Sequence, residues 1–155
     1  MICAPFLLFA LAPLAGGKAY AASTCTLTST PVNFPLYDSS VAVIATGTIT
    51  VSCTTPPFNV RYTVSFGPSS GSGSVNPRAL KHQTVPDTLT YTINTPATTQ
   101  GTPAGALWGD GTLGTIVVTE RFNAAAALTM TCNIPAGQDM TYGLYTDSIT
   151  ATVTP

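Results

Sequence analysis

The segment Gly143-Leu-Tyr-Thr-Asp-Ser-Ile-Thr-Ala-Thr-Val-Thr-Pro155 alternates strictly from Asp147 onward. Ile149, Ala151 and Val153 fall on one face, and Ser148, Thr150, Thr152 and Thr154 on the other. A period of two built from β-branched residues makes a strand buried on one side only. No hairpin turn follows it in the sequence and no later strand returns along it. The predicted strand therefore pairs on both sides with earlier strands, or it keeps one edge open for another chain. An open edge beside an apolar face is a liability that proteins either cover or use.

The same alternation recurs upstream. Val60, Tyr62, Val64 and Phe66 alternate with Arg61, Thr63 and Ser65, and Leu89, Tyr91 and Ile93 alternate with threonines. Leu113 to Glu120 reads as a strand, and so does the stretch from Leu128 through Met130 and Cys132 to Ile134. Cys25 to Phe34 reads as a strand interrupted by Pro31. Val41 to Cys53 reads as a strand with Ala42, Ile44 and Thr46 on one parity. Gly47 is a bulge candidate there, moving the apolar set to Ile49, Val51 and Cys53. Residues 77–82 carry no clear pattern. The Gly/Ser stretch from Gly67 to Asn76 and the Thr/Pro/Gly stretch from Thr95 to Gly105 read as connectors, the first of them mobile. Asp110-Gly111 reads as a hairpin turn with an exposed carboxylate.

About seven short strands separated by turn residues predict one all-β domain, an antiparallel β-sandwich. Composition agrees, since charged residues are 7% of the chain and hydrophobic ones 45%. Few good helix formers are available, and the balance is the reverse of a disordered chain.

Residues 1–21 read as a secretory signal peptide: an apolar run from Phe6 to Leu14, then Ala19-Tyr20-Ala21 as a small-x-small cleavage site. The n-region Met1-Ile2-Cys3 departs from the usual pattern in having no Lys or Arg. The run is too short for a membrane span, so no stable membrane insertion is expected. Residues 22–155 form the mature domain. It carries Arg61, Arg78, Lys81 and Arg121 against Asp38, Asp87, Asp110, Glu120, Asp139 and Asp147. That weakly acidic balance excludes a nucleic-acid partner as a leading reading.

Cleavage would leave Cys25, Cys53 and Cys132 in an oxidising compartment. Cys25 and Cys53 lie on the first two predicted strands and can face each other. Bridging them would close a loop of about 28 residues, a stabilisation of roughly 3 kcal/mol in the chain-entropy view. Cys132 is then an unpaired thiol, read as a small buried apolar residue.

Nothing here assembles an active site. His82 is the single histidine, and no Gly-x-Ser-x-Gly stands in a strand–turn–helix setting. His82 reads as an exposed loop residue. Cys and His are too few for a zinc site, and no paired carboxylates suggest glycosidase chemistry. No catalytic, cofactor-binding or metal-binding residues are assigned. Tyr37, Tyr62, Tyr91, Tyr142, Tyr145 and Trp108 would suit a carbohydrate-binding face, but aromatics in strands more often fill a core.

Several blocks in order carry a resemblance. They are Cys25-x-Leu27, Pro31-Val32-Asn33-Phe34-x-x-Tyr37-Asp38 and Gly47-x-Ile49-x-Val51-x-Cys53. Leu89-x-Tyr91, Leu107-Trp108-Gly109-Asp110-Gly111, Ile134-Pro135-Ala136-Gly137-Gln138 and Gly143-x-Tyr145-x-Asp147-Ser148-Ile149-x-Ala151-x-Val153 follow. From Cys25 to Pro155 the chain resembles the spore coat protein U domain family, which includes subunits of archaic (Csu-type) chaperone–usher pili and a myxobacterial spore coat protein. The resemblance implies an immunoglobulin-like pilin sandwich that lacks its last strand. A periplasmic chaperone, and then a neighbouring pilus subunit, supplies that strand by β-strand addition. It implies an outer-membrane usher as a further partner, and a disulfide between the first two strands, matching Cys25 and Cys53.

Two departures stand out. Shaft subunits of such pili carry an alternating donor segment before the first cysteine, whereas here Ala22-Ser23-Thr24 precede Cys25, and Gly16 to Tyr20 show no period-two apolar pattern. Cys132 stands where glycine is more usual. The resulting expectation is a secreted, non-enzymatic structural subunit, passing through the periplasm to the cell surface and terminal in its fibre. It would serve surface adhesion and biofilm formation, with Ile149, Ala151 and Val153 in a strand-acceptor groove. The alternative is a self-contained spore-coat or cell-surface coat protein with a complete sandwich.

Overall fold

In a computed structural model of the chain, residues 24–54, 61–97, 102–121 and 126–155 are described. The expected signal segment and Val60 lie outside them. The described residues hold nine strands and no helix. These are β1 (Thr24–Ser29), β2 (Val43–Thr54), β3 (Arg61–Ser69), β4 (Arg78–His82), β5 (Thr88–Asn94), β6 (Val118–Arg121), β7 (Ala126–Ile134), β8 (Tyr145–Thr146) and β9 (Ile149–Thr154). They form two antiparallel sheets, in the orders β1-β2-β7-β5-β4-β8 and β6-β3-β9. The expected all-β, immunoglobulin-like antiparallel sandwich is the observed fold.

Alternation builds the interior. Ile49 and Val51 of β2, Leu128, Met130, Cys132 and Ile134 of β7, and Leu89, Tyr91 and Ile93 of β5 point inward from the larger sheet. Tyr62, Val64 and Phe66 of β3 and Val118 of β6 answer from the smaller. Trp108 fills the space between. Its indole N–H donates to Val64 O at 2.8 Å, and its ring meets Phe66 edge-on at 4.7 Å. An aromatic that large is tolerated inside because its one donor is satisfied.

Four expectations need correction. The inward parity of β2 is Val43, Ala45, Gly47, Ile49 and Val51, not Ala42, Ile44 and Thr46. The ladder with β7 runs through Gly47↔Met130 without a shift, so Gly47 is no bulge. A Cβ there would stand 2.5 Å from Met130 Cε and 2.6 Å from Val32 Cγ2. Glycine is needed so that the 30–34 segment can cross the strand closely. Leu113 lies in a turn at φ 50, and the strand expected from it begins only at Val118. Asp110-Gly111 is not a two-residue hairpin, since the segments it joins meet as a parallel bridge, Trp108↔Ile116. Asp110 does stay exposed, closing a local turn by accepting from Thr112 N and Oγ1 at 2.9 and 2.6 Å.

The patternless stretch 77–82 is mostly β4. Its Arg78 is 2% exposed, and its guanidinium donates to the carbonyls of Gly67, Phe66 and Trp108 at 2.6, 3.4 and 3.4 Å. Gln138 has a related task. Its side-chain amide accepts from Thr90 N at 2.7 Å and donates to Thr90 O at 2.9 Å, completing the edge of β5 beyond the end of β7. The Ile134–Gln138 block is thus a turn that returns an amide to the sheet.

Candidate functional site

Among the described residues the last alternating strand pairs on one side only. β9 lies along β3, with Phe66↔Ala151 and Val64↔Val153 in register. Phe66 N–H donates to Gly109 O at 3.1 Å, on the side of β3 away from β9. Backbone groups of one strand residue point the same way, and paired residues alternate between bonded and non-bonded. The N–H and C=O of Ala151, and of Val153 two residues on, therefore point away from β3, to the open edge.

β1 is the matching edge of the larger sheet. Among the described residues it pairs with β2 alone, with Cys25↔Cys53 in register and joined by a disulfide. Their Cα atoms are 4.0 Å apart, the close spacing of a non-hydrogen-bonded pair. Main-chain groups of Cys25, Leu27 and Ser29 thus face away from β2. β1 packs beside β9, yet no ladder joins them. Two unpaired edges, one from each sheet, lie along one side of the sandwich.

An apolar cleft opens beside these edges. Its smaller chamber, about 220 Å³, is walled by Ser29 to Val32 on one side and by Ile149 and Ala151 on the other, with Ile93, Met130 and Cys132 at its floor. A larger chamber, about 720 Å³, continues past Leu36, Tyr37, Leu89, Ile134 and Tyr142. Val32, Phe34, Leu80 and Asp147 line both. Leu36 and Tyr142 are 82% and 86% exposed at the rim, large apolar side chains that the described residues leave uncovered.

Of the expected groove residues, Ile149 and Ala151 line the smaller chamber. Val153 is half-buried against the core further along and does not line it. Cys132 is the free cysteine among the described residues, 2% exposed, and burial pushes its thiol up to about 11.

The sequence reading missed Asp147. It sits where the chain crosses from β8 in the larger sheet to β9 in the smaller. Oδ1 accepts from Ser70 Oγ (2.7 Å), Gly71 N (3.0 Å) and Ser148 N (2.8 Å), and Oδ2 accepts from Tyr91 Oη (2.6 Å). Burial alone would raise its pKa, but the hydrogen bonds from Tyr91 and the 69–71 turn outweigh it and hold the carboxyl below its ordinary value. The Gly/Ser connector is consequently tied to the last strand, with Ser69 buried and bonded to Ala79 O at 3.0 Å. A hint existed in sequence: Asp147 is the first residue of the strict alternation and shares its parity with Ile149.

His82 is not an exposed loop residue; it is 6% exposed at the end of β4. Nδ1 accepts from Thr84 N and Val85 N at 3.1 and 3.2 Å, which assigns the proton to Nε2, 3.3 Å from Tyr142 O. Its ring meets Tyr145 edge-on at 4.9 Å. These bonds fasten the 142–145 lip of the larger chamber, and Asp87 reinforces it by accepting from Tyr145 Oη (2.7 Å) and Thr141 N (2.6 Å). Tyr37, Tyr62, Tyr91 and Trp108 are buried, so the aromatics form no common exposed face. Among the described residues no group of three or more His, Cys, Asp or Glu is placed to hold a metal.

The fold and its open side define a class: an immunoglobulin-like sandwich with unpaired edges beside an apolar cleft. In sequence, the Spore Coat Protein U domain matches residues 13–152. The chain belongs to that family. No curated protein matches it in sequence. Among solved structures it is similar to a chain from the CsuC–CsuE chaperone–tip adhesion subunit pre-assembly complex of archaic chaperone-usher Csu pili of Acinetobacter baumannii. The identity is 21% over 85% of this chain and 40% of that one, with a TM-score of 0.53. It is also similar to a chain from a chaperone–tip adhesin complex described for CFA/I fimbriae biogenesis, 13% identical over 83% of this chain and 41% of that one, with a TM-score of 0.53. The chain spans about two fifths of either neighbour.

Proposed function

We propose that this protein is a secreted structural subunit of a chaperone–usher type surface pilus, completed by a strand from another chain. The observation that carries this reading is the pair of open edges, β1 and β9, beside an apolar cleft between the sheets. Main-chain N–H and C=O groups on both sides, with alternate apolar pockets between, are what an added β-strand needs. A periplasmic chaperone fills the cleft first and a neighbouring subunit later, with an outer-membrane usher handling assembly. Family membership and the two chaperone–subunit neighbours support this assignment. The apolar run and small-x-small site within residues 1–21 support export through the periplasm to the cell surface.

Gly16 to Tyr20 and Ala22-Ser23-Thr24, just ahead of Cys25, show no period-two apolar pattern of the kind a donor strand has, which supports a terminal place in the fibre. A terminal position suits surface adhesion and biofilm formation. The protein's role is structural, not enzymatic.

The test is thermal. A synthetic strand of alternating Val and Thr, added to the purified domain, raises Tm progressively with concentration, as a ligand specific to the folded state must. At a hundredfold excess over Kd the gain is about 2.7 kcal/mol. A domain with a high Tm that no strand or chaperone shifts would instead be the self-contained coat protein.

A further inference from the structure

Of the described side chains lining the two chambers, Asp147 alone is charged, and it lines both. It stands at the waist with Val32, Phe34 and Leu80, beside the first residues of β9. Its hydrogen bonds are unevenly divided. Oδ1 is saturated by three donors, whereas Oδ2 has Tyr91 Oη alone and keeps capacity for one more. Tyr91 itself lines the smaller chamber. The buried cation facing this region is Arg78, and its guanidinium is already directed at three carbonyls. An occupant that covers the waist removes Asp147 from water, so whatever lies opposite must leave that charge compensated.

We propose that Asp147 selects the strand that fills the cleft: the residue opposite the waist is a hydrogen-bond donor such as Gln, Asn, Ser or Thr, and an acidic residue there is rejected. This rests on the strand-acceptor reading and deepens it from general apolar alternation to a position-specific rule. On either side of the waist the walls are uncharged and mainly apolar, with Ile49, Phe66 and Met130 in the smaller chamber and Leu89, Ile134 and Met140 in the larger. The strand's neighbouring inward residues are therefore aliphatic, and either Gln or Glu is unwelcome at those points.

A peptide scan separates this from the reading it rests on. A host peptide of alternating Val and Thr is titrated against the intact protein by fluorescence anisotropy, and each inward position is replaced in turn by Gln and by Glu. One position should bind the Gln peptide close to host affinity and the Glu peptide roughly tenfold or more weakly, because unlike partners of the same size differ there by a like-charge contact. At the other inward positions both replacements weaken binding alike. Asp147→Asn should bring the Glu/Gln ratio at the discriminating position close to one. Equal binding of Gln and Glu everywhere overturns the inference while host binding still upholds the groove. A ratio that persists in Asp147→Asn overturns it too, and the wild-type scan decides the matter if that variant does not fold. Failure of the host peptide itself overturns the groove reading and this inference together.

Discussion

Arg78 holds the two sheets together where neither could close alone. It donates to carbonyls of β3 and of the Trp108 segment from its own place on β4, and burial lowers its pKa by disfavouring the charged form. Arg78→Met keeps the stem but leaves three carbonyls without their donor. We expect a loss of about 2–4 kcal/mol, read as a lower urea midpoint with an unchanged slope. Nothing in sequence marked Arg78, because its partners lie 11, 12 and 30 residues away and are main-chain atoms of any residue type. His82 was misread for the same reason: its burial follows from the Thr84, Val85 and Tyr142 main chain. Asp87 makes a residue-scale prediction in pH. Hydrogen bonds from Tyr145 Oη and Thr141 N hold its folded pKa at about 2, below the ordinary 3.8. A depressed carboxyl stabilises above its unfolded pKa, and the contribution drains away as pH falls from 3.8 toward 2. The Tm gap between wild type and Asp87→Asn should therefore be present at pH 6 and close by pH 2; a gap that is unchanged at pH 2 would contradict it.

At the scale of elements, alternation was legible wherever a strand is apolar on one parity only. Tyr62, Val64 and Phe66 in β3 and Leu89, Tyr91 and Ile93 in β5 announced their faces. β2 did not, because Val43 to Ala45 is apolar at every position and Ile44, 62% exposed, is a surface residue. Only the register with β7 resolves the choice. The disulfide across β1 and β2 matters because, among the described residues, β1 has no second ladder. Replacing Cys25 and Cys53 together by Ala releases a loop spanning a separation of 28 residues and should cost roughly 3–4 kcal/mol. Amide protection in β9 should alternate. Thr152, opposite Ser65, points its N–H toward β3, whereas Ala151 and Val153 point theirs outward. In the isolated domain Ala151 and Val153 exchange fast and Thr152 slowly; a bound strand removes the difference. Uniformly slow exchange along β9 without any partner would count against the open edge.

For the molecule as a whole, what could be read in advance was the architecture. A chain this poor in charge and this rich in alternating β-branched residues has few options besides two stacked sheets. The cleft was less legible. Its walls come from β1, the 30–37 segment, β7 and β9, and its waist from a carboxylate at a change of sheet, a juxtaposition that only the assembled topology produces. Ile149 and Ala151 were found because they belong to the alternation, and Asp147 was passed over because it is polar. One consequence follows from Cys132, which sits on the floor of the smaller chamber. Burial raises its pKa to about 11, so it stays protonated at neutral pH, and among the described residues the cleft is the opening it lines. Its alkylation is therefore slow in the isolated protein and should fall further when a strand peptide occupies the cleft, so that intact mass after labelling reports whether the cleft is filled.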